Sequence, residues 1–400
     1  MVFIEVSNYV LPFIAIPYII RVIGTEKYGL IMFVYAIITY FTIMVEYSFD
    51  AIATRYISIH RKNLLRISVY FWNVLFVQFC LLVASFLIFM LLIYSIDAFY
   101  VEKQIFFLSF GIVVGTLLFP KWFFQGIEEM KYISILRFLS ELLYLILVLS
   151  FIHEENEYWL VPMFLSISTI IAGMISIIYI KTVFKVHTIA PSFRLAKHVL
   201  KSGGHLFVSS IAVNLYSSTN TVILGFLTNY TVVGLYSMAY TIFSAISKVV
   251  KVYVTAVYPH IARLSLNADK MITETKIFLK LYIAALVVLS VLLIFMAPYG
   301  IELLYGKGHD DSVWILRLLA ISLLVEPMGR FFTVYLVLKR KQKLISKITF
   351  LTMLFNFITV FPMIFFFQGA GMAMTKIMVE SFQVILNVRY NVELFRKIRP

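Results

Sequence analysis

Apolar residues run along this chain in long blocks parted by short polar pieces. Blocks long enough to cross a bilayer, about 20 residues each, fall at roughly 2 to 23, 29 to 52, 70 to 96, 104 to 124, 132 to 152 and 158 to 180. A polar, basic stretch from Lys181 to Gly204 interrupts them, and further blocks follow at roughly 205 to 227, 232 to 258, 277 to 298, 313 to 337, 344 to 367 and 369 to 389. The pattern predicts an all-α membrane protein of about twelve transmembrane helices in two six-helix lobes. The N-terminal lobe is expected over 1–180, a cytoplasmic linker over 181–204 and the C-terminal lobe over 205–400. The first block could pass for a signal peptide, but it lacks a basic start and contains Pro12 and Pro17. It reads as a kinked transmembrane helix.

Composition agrees: 62% of the 400 residues are apolar and 14% charged, where soluble domains hold roughly 45–50% and about 25%. The net charge of +14 would suggest nucleic acid in a soluble protein. Here it is first a matter of sidedness, because Lys and Arg mark cytoplasmic loops. Basic residues gather after every second span: Arg55, Arg61, Lys62 and Arg66; Lys131 and Arg137; Lys181 through Lys201; Arg263 through Lys280; Lys339 through Lys347; and Arg389 through Arg399. The alternate connections hold only Arg21, Lys27, Lys103 and Lys307. Both termini are expected in the cytoplasm and no nucleic-acid partner is expected, since no basic patch alternates with exposed aromatics. Trp72 and Trp122 at cytoplasmic span ends, and Trp159 and Trp314 at outer ends, fit the headgroup preference of indole. The single cysteine, Cys80, excludes disulfides within the chain and cysteine metal sites.

A short internal repeat joins the two halves. Gly29-Leu-Ile-Met-Phe-Val-Tyr35 and Gly234-Leu-Tyr-Ser-Met-Ala-Tyr240 both open the second helix of their half. Halves with an even number of crossings share one orientation, as in transporters built from parallel repeats, and the expected substrate path lies between them.

Several chemistries lack their residues. The nearest approach to a nucleotide loop, Gly300 to Gly306 followed by Lys307 and Gly308, has one residue too many and no hydroxyl. The seven histidines are scattered without metal-ligand spacing, and no cofactor is expected. A membrane polymerase or ligase should carry a large outer loop with clustered carboxylates, whereas the outer loops here are short. Charges inside spans are more informative, since each costs about 2.5 to 3.5 kcal/mol near the bilayer centre even on a lenient scale. Glu326 with Arg330, and Lys376 with Glu380, are i, i+4 pairs that can neutralise each other, as structural pairs or as part of ion coupling. Lys248 and Lys251 have no carboxylate three or four positions away on their own helix.

The eighth span places Ser237, Thr241, Ser244, Lys248, Lys251 and Thr255 on one helical face. The second places Tyr35, Thr39, Thr42, Glu46 and Asp50 together, and the repeat offset sets Glu46 opposite the position of Lys251. The seventh adds Ser210, Asn214, Ser217 and Thr221. Such stripes either glue helices together or line a path.

The chain resembles the polysaccharide and O-antigen flippases of the Wzx type, in the superfamily that includes multidrug MATE exporters and lipid II flippases. The likeness rests on Asn8-Tyr9-Val10-Leu11-Pro12 leading through Pro17-Tyr18 and Arg21 to Gly24 and Tyr28-Gly29, and on Trp122-Phe-Phe-Gln-Gly-Ile-Glu128. Val222-Ile-Leu-Gly-Phe226, Val233-Gly234 and Tyr258-Pro-His-Ile261 extend it. The basic tail usual before the first helix of that family is missing. The resemblance implies a MATE-like, V-shaped pair of lobes in the bacterial inner membrane and no enzymatic activity. It implies transfer of an undecaprenyl-pyrophosphate-linked oligosaccharide to the periplasmic leaflet by alternating access, coupled to an ion. Its partners would be that lipid-linked oligosaccharide, membrane lipids and other polysaccharide assembly proteins. On this reading Lys248 and Lys251 neutralise the pyrophosphate, while Ser244, Thr241, Thr39, Thr42, Asn214 and Arg21 line the path. Glu46 and Asp50 would hold the lysines between cycles or carry the ion. A drug exporter of the same superfamily acts largely on cations, for which two lysines have the wrong sign.

Overall fold

The protein's structure, a computed structural model, describes residues 2–263, 268–338 and 341–396. Within them the side chains of residues 2–10, 205, 208–217, 251, 252 and 391–396, with others between 254 and 338, lie outside the description. The described residues form helices and no strands. The chain divides into two compact units, Met1–Val222 and Ile223–Pro400.

In the first unit α1 runs Val2–Glu46, α2 Phe49–His60, α3 Leu64–Ser95, α4 Asp97–Val101 and α5 Lys103–Leu118. They are followed by α6 Lys121–Gly126, α7 Lys131–Phe151, α8 Leu160–Thr182 and α9 Phe193–Leu227, the last reaching into the second unit. The second unit holds α10 Tyr230–Arg263, α11 Ala268–Tyr305, α12 Asp310–Leu338 and α13 Gln342–Arg396. Nine helical stretches among the described residues are long and apolar enough to cross a membrane. Those at Leu11–His60 and Gln342–Tyr390 run 50 and 49 residues, long enough for two crossings each at about 20 residues a crossing. Their internal breaks are Gly24 (φ 78°, ψ 167°) and Gln368 (φ 48°, ψ −125°). With α9 the arrangement is consistent with the expected twelve.

Local chemistry accounts for several boundaries. Gly24 occupies a region of φ and ψ that side chains disfavour, and a Cβ there would meet nothing within 4 Å, so its requirement is purely conformational. Asn63 caps α3 by accepting from the Arg66 amide at 3.0 Å, and Asn229 does the same for Val232 ahead of α10. Gly29 lies five positions after the Gly24 break and Gly234 four after the start of α10 at Tyr230, and both are buried. Helices α5 and α8 approach closely over small residues. A Cβ on Gly115 would lie 2.6 Å from the Thr169 hydroxyl and one on Gly173 2.5 Å from the Leu118 Cβ, the close packing that apolar surroundings require when no hydrophobic force draws helices together. Elsewhere large side chains face outward: Phe79, Leu87 and Leu91 on α3, and Val288, Leu292 and Phe295 on α11, are exposed. Such surface is tolerated where lipid covers it.

Three expectations are corrected in the first unit. The span drawn at 29 to 52 is broken: Tyr47 and Ser48 carry φ of 43° and 60°, so the polar face is helically continuous only to Glu46 and Asp50 belongs to α2. The Tyr47 ring stacks on Phe207 at 4.3 Å and covers Gly203, which holds two non-glycine residues in a disfavoured conformation. Trp122 is not an interfacial residue; it is 2% exposed, beside Phe71 and Phe123 in an apolar cluster that includes Phe49, Ile57 and Val199. Residues 181–204 are also more than a polar connection. Val186, Ala196 and Val199 are buried in that cluster. The His187 amide donates to Ser68 Oγ at 3.0 Å, the Ser192 amide to Asn73 Oδ1 at 2.9 Å, and Trp72 Nε1 to the His187 carbonyl at 2.9 Å.

Candidate functional site

Two helix breaks meet in the first unit. One is the Tyr47–Ser48 turn between α1 and α2; the other is Phe119–Pro120 between α5 and α6, where proline removes a backbone donor. Beyond them α2 and α6 lie together. Thr54 Oγ1 donates to the Trp122 carbonyl and to Gln125 Oε1, both at 3.2 Å, and Gly126 fits so closely that a Cβ would stand 2.6 Å from the Ile57 Cβ. Lys121, the first residue of α6, therefore arrives at the α1–α2 break. Its Nζ is 2.8 Å from Glu46 Oε1 and 2.9 Å from Asp50 Oδ2. The ammonium thus ties the last residue of one helix to the first turn of the next.

The three side chains keep 33%, 31% and 41% of their surface open for Lys121, Glu46 and Asp50. They face a cavity of about 360 Å³ within this unit. Its other walls include Gln78 of α3, Thr116 of α5, Arg137, Ser140 and Glu141 of α7, and Thr169 of α8. Thr116 and Thr169 already donate to carbonyls of their own helices, so they offer the cavity only acceptor capacity. Gln78 Nε2 donates to the Val45 carbonyl at 3.3 Å, while its buried Oε1 and the buried indole nitrogen of Trp122 have no partner among the described residues. Lys121, Gln78 and Glu141 are absent from the sequence-level candidates. The signals for Lys121 are Pro120 within an apolar run and the need of Glu46 and Asp50 for a cation.

The second unit holds a similar ionic group with a different setting. Lys376 of α13 lies 3.0 Å from Glu326 Oε2 of α12 and 3.4 Å from Glu380 Oε1, one turn along its own helix. Its ammonium also stands 5.4 Å from the ring centre of Phe243. Here only 18%, 7% and 8% of the Lys376, Glu326 and Glu380 side chains is open. Nearby Asn387 Nδ2 donates to the Gly329 carbonyl at 3.3 Å, fastening α13 to α12. Glu326, expected to pair along its helix with Arg330, meets Lys376 across helices; the Arg330 side chain lies outside the described residues.

Of the other expected path residues, Thr39 and Thr42 donate to the Tyr35 and Ile38 carbonyls, and Thr241 and Ser244 to those of Ser237 and Thr241. These hydroxyls satisfy their protons on their own helices and keep lone pairs for a neighbour. Lys248 is exposed on α10 and Arg21 on α1. Lys251 and Asn214 lie on described helical backbone with side chains outside the description. Among the described residues no group of three or more His, Cys, Asp or Glu could hold a metal ion.

Comparison with known proteins places this architecture. Over 380 residues the chain is 28% identical to an Escherichia coli (strain K12) protein described as an O-antigen transporter, covering 94% of this chain and 91% of that one. A Shigella dysenteriae protein of the same description is 24% identical, with 96% of each chain covered. The fold is shared with the lipid II flippase MurJ in its inward closed conformation, at a TM-score of 0.77 and 13% identity over 98% of this chain and 88% of that one. It is also shared with an inward-facing multidrug resistance MATE family transporter, at a TM-score of 0.68 and 13% identity over 98% and 96%. Residues 1–265 match the family described as polysaccharide biosynthesis proteins, and the chain belongs to that family.

Proposed function

We propose that the protein is a transporter of the bacterial inner membrane that moves a lipid-linked oligosaccharide from the cytoplasmic to the periplasmic leaflet. The observation that carries this reading is the end-to-end match to two relatives described as O-antigen transporters. The fold shared with a lipid II flippase supports it. So does the placing of ionised groups inside apolar helices, which is costly unless they face a partner or a polar cavity. The substrate we propose is an undecaprenyl-pyrophosphate carrying one oligosaccharide unit. Its lipid tail stays in the bilayer while the phosphates need cations along the path. Lys248 and Lys251 supply two on one polar face of α10, and the hydroxyls of Thr241 and Ser244 lie on the same face. Alternating access of two six-helix lobes, coupled to an ion, completes the reading, with both termini in the cytoplasm. Reporter fusions after Tyr158 and after Lys201 should read outside and inside.

The test is complementation of a strain whose own O-antigen transporter has been removed. Surface polysaccharide should return with this chain, and the lipid-linked intermediate should stop accumulating inside. Polymerisation of that intermediate by the purified protein, without transfer across the membrane, would replace the transporter reading with that of a membrane polymerase.

A further inference from the structure

We infer that the cavity beside Lys121 is a glycan subsite that receives one sugar ring of the transported head group. The inference rests on the flippase reading and adds to it a place and a recognition chemistry.

Size is the first argument. At about 360 Å³ the cavity has the volume of about a dozen waters at roughly 30 Å³ each, room enough for a sugar ring. Chemistry is the second. The walls mix donors and acceptors: Lys121 and Arg137 donate, Glu46, Asp50 and Glu141 accept, and the Ser140 hydroxyl can do either. Sugar hydroxyls donate and accept at once, so a ring can use both kinds of group. Carboxylates and guanidinium, with two polar atoms held in one plane, suit neighbouring hydroxyls on a ring.

Charge decides against the rival ligands. The Lys121 ammonium is already held by Glu46 and Asp50, and Glu141 lines the same wall as Arg137, so a phosphate or pyrophosphate would have to displace carboxylates to reach a cation. A bare cation meets the opposite obstacle, because the Lys121 ammonium already lies within 2.8 and 2.9 Å of Glu46 and Asp50.

The position gives the subsite a consequence. Lys121 bridges Glu46 before the Tyr47–Ser48 break to Asp50 after it. A ring that hydrogen-bonds to this group therefore touches the junction of α1, α2 and α6, so binding differs in free energy between two settings of that junction if the breaks move.

Saturation-transfer NMR on the full chain in lipid nanodiscs tests the inference, with free glucose, galactose, mannose, rhamnose and N-acetylglucosamine as probes. At least one should receive transfer from the wild type. The signal should fall at least fivefold in Ser140→Trp, which fills the cavity from α7, and in Lys121→Met, and persist in Lys307→Ala on an exposed loop. Should Ser140→Trp fail to fold, Thr116→Met fills the cavity from α5 and should give the same loss. No transfer from any sugar, transfer undiminished in the filled variants, or displacement of the sugar by inorganic pyrophosphate would each overturn the subsite. A wild type that transfers lipid-linked glycan across vesicles yet shows no cavity-dependent sugar signal refutes the subsite alone. Sugar binding without any transfer refutes the flippase reading alone.

Discussion

The first unit and the second each clamp one lysine between two carboxylates, and the two clamps differ in almost everything but composition. Around Lys376 the charges are closed off between α12 and α13, with an aromatic ring near the ammonium and an amide fastening beside it. Around Lys121 they stand partly open at the meeting of two helix breaks and face a cavity. Burial is what separates them. A closed ionic group in apolar surroundings is held together because any member left alone is costly. An open one contributes little to stability and is free to exchange partners. The first kind fastens helices; the second kind can meet a ligand.

The largest effect that would sharpen this contrast lies at Lys376. Lys376→Met takes the cation from two nearly closed carboxylates and should cost about 3–5 kcal/mol, seen as a collapse in the yield of monodisperse protein. Adding Glu326→Gln and Glu380→Gln should recover much of that yield. Normal yield from the single variant, with transport lost, would move this group from fastening to function.

Next comes the wall of the open cavity. Gly115→Val forces side-chain atoms against Thr169, where even a Cβ would stand at 2.6 Å, and should cost about 1–3 kcal/mol through overpacking. Thermal unfolding in detergent measures it. A stability equal to wild type would mean that the approach of α5 and α8 is looser than described, and the shape of the cavity with it.

Lys121→Met should be milder for the fold than the loss of Lys376, about 1 kcal/mol because the group is more open and partly screened, yet should reduce polysaccharide export severalfold at unchanged protein level. Immunoblot against surface polysaccharide separates the two effects. A large loss of protein with this variant would erase the contrast between the clamps. Smallest of all in stability is Lys248→Ala, at an exposed side chain and expected to leave thermal unfolding within about 0.5 kcal/mol, as surface substitutions usually do; Lys251→Ala is made beside it. Export should be abolished by either, with arginine restoring part of it, since charge more than ammonium shape serves a phosphate. Wild-type export from the double alanine variant would remove these lysines from the path.

Much of the fold was legible because a bilayer imposes a single length on apolar runs, so most of the long helices could be placed from pattern alone, while the segment from Lys181 hid its packing, since only three of its apolar residues, Val186, Ala196 and Val199, are buried in the cluster. The break at Tyr47–Ser48 was not legible, since neither residue is a breaker and the turn depends on Phe207 and Gly203, far along the chain. Trp122 was misplaced for a related reason: a tryptophan near a span end suits the headgroup level, and only packing against Phe71 and Phe123 shows otherwise. At the site, Glu46 and Asp50 stood out as carboxylates on a helix face, but their cation did not. Lys121 is distant in sequence and sits where a span end is allowed a lysine, and its meaning lies in the proline before it. For Lys376 and Glu380 the spacing on one helix sufficed, while the tie to Glu326 joins two helices that no local spacing connects.

Reconstitution tests the central claim most directly. Purified protein in lipid vesicles, loaded with a fluorescent lipid-linked oligosaccharide in both leaflets, should let an impermeant quencher reach nearly all of the label, because molecules cross from the inner leaflet during the measurement. Protein-free vesicles should stop at about half, the share in the outer leaflet of a bilayer that lipid head groups do not cross unaided. Quenching that stops at the same level with and without the protein would contradict the claim that this chain carries lipid-linked oligosaccharide across the membrane.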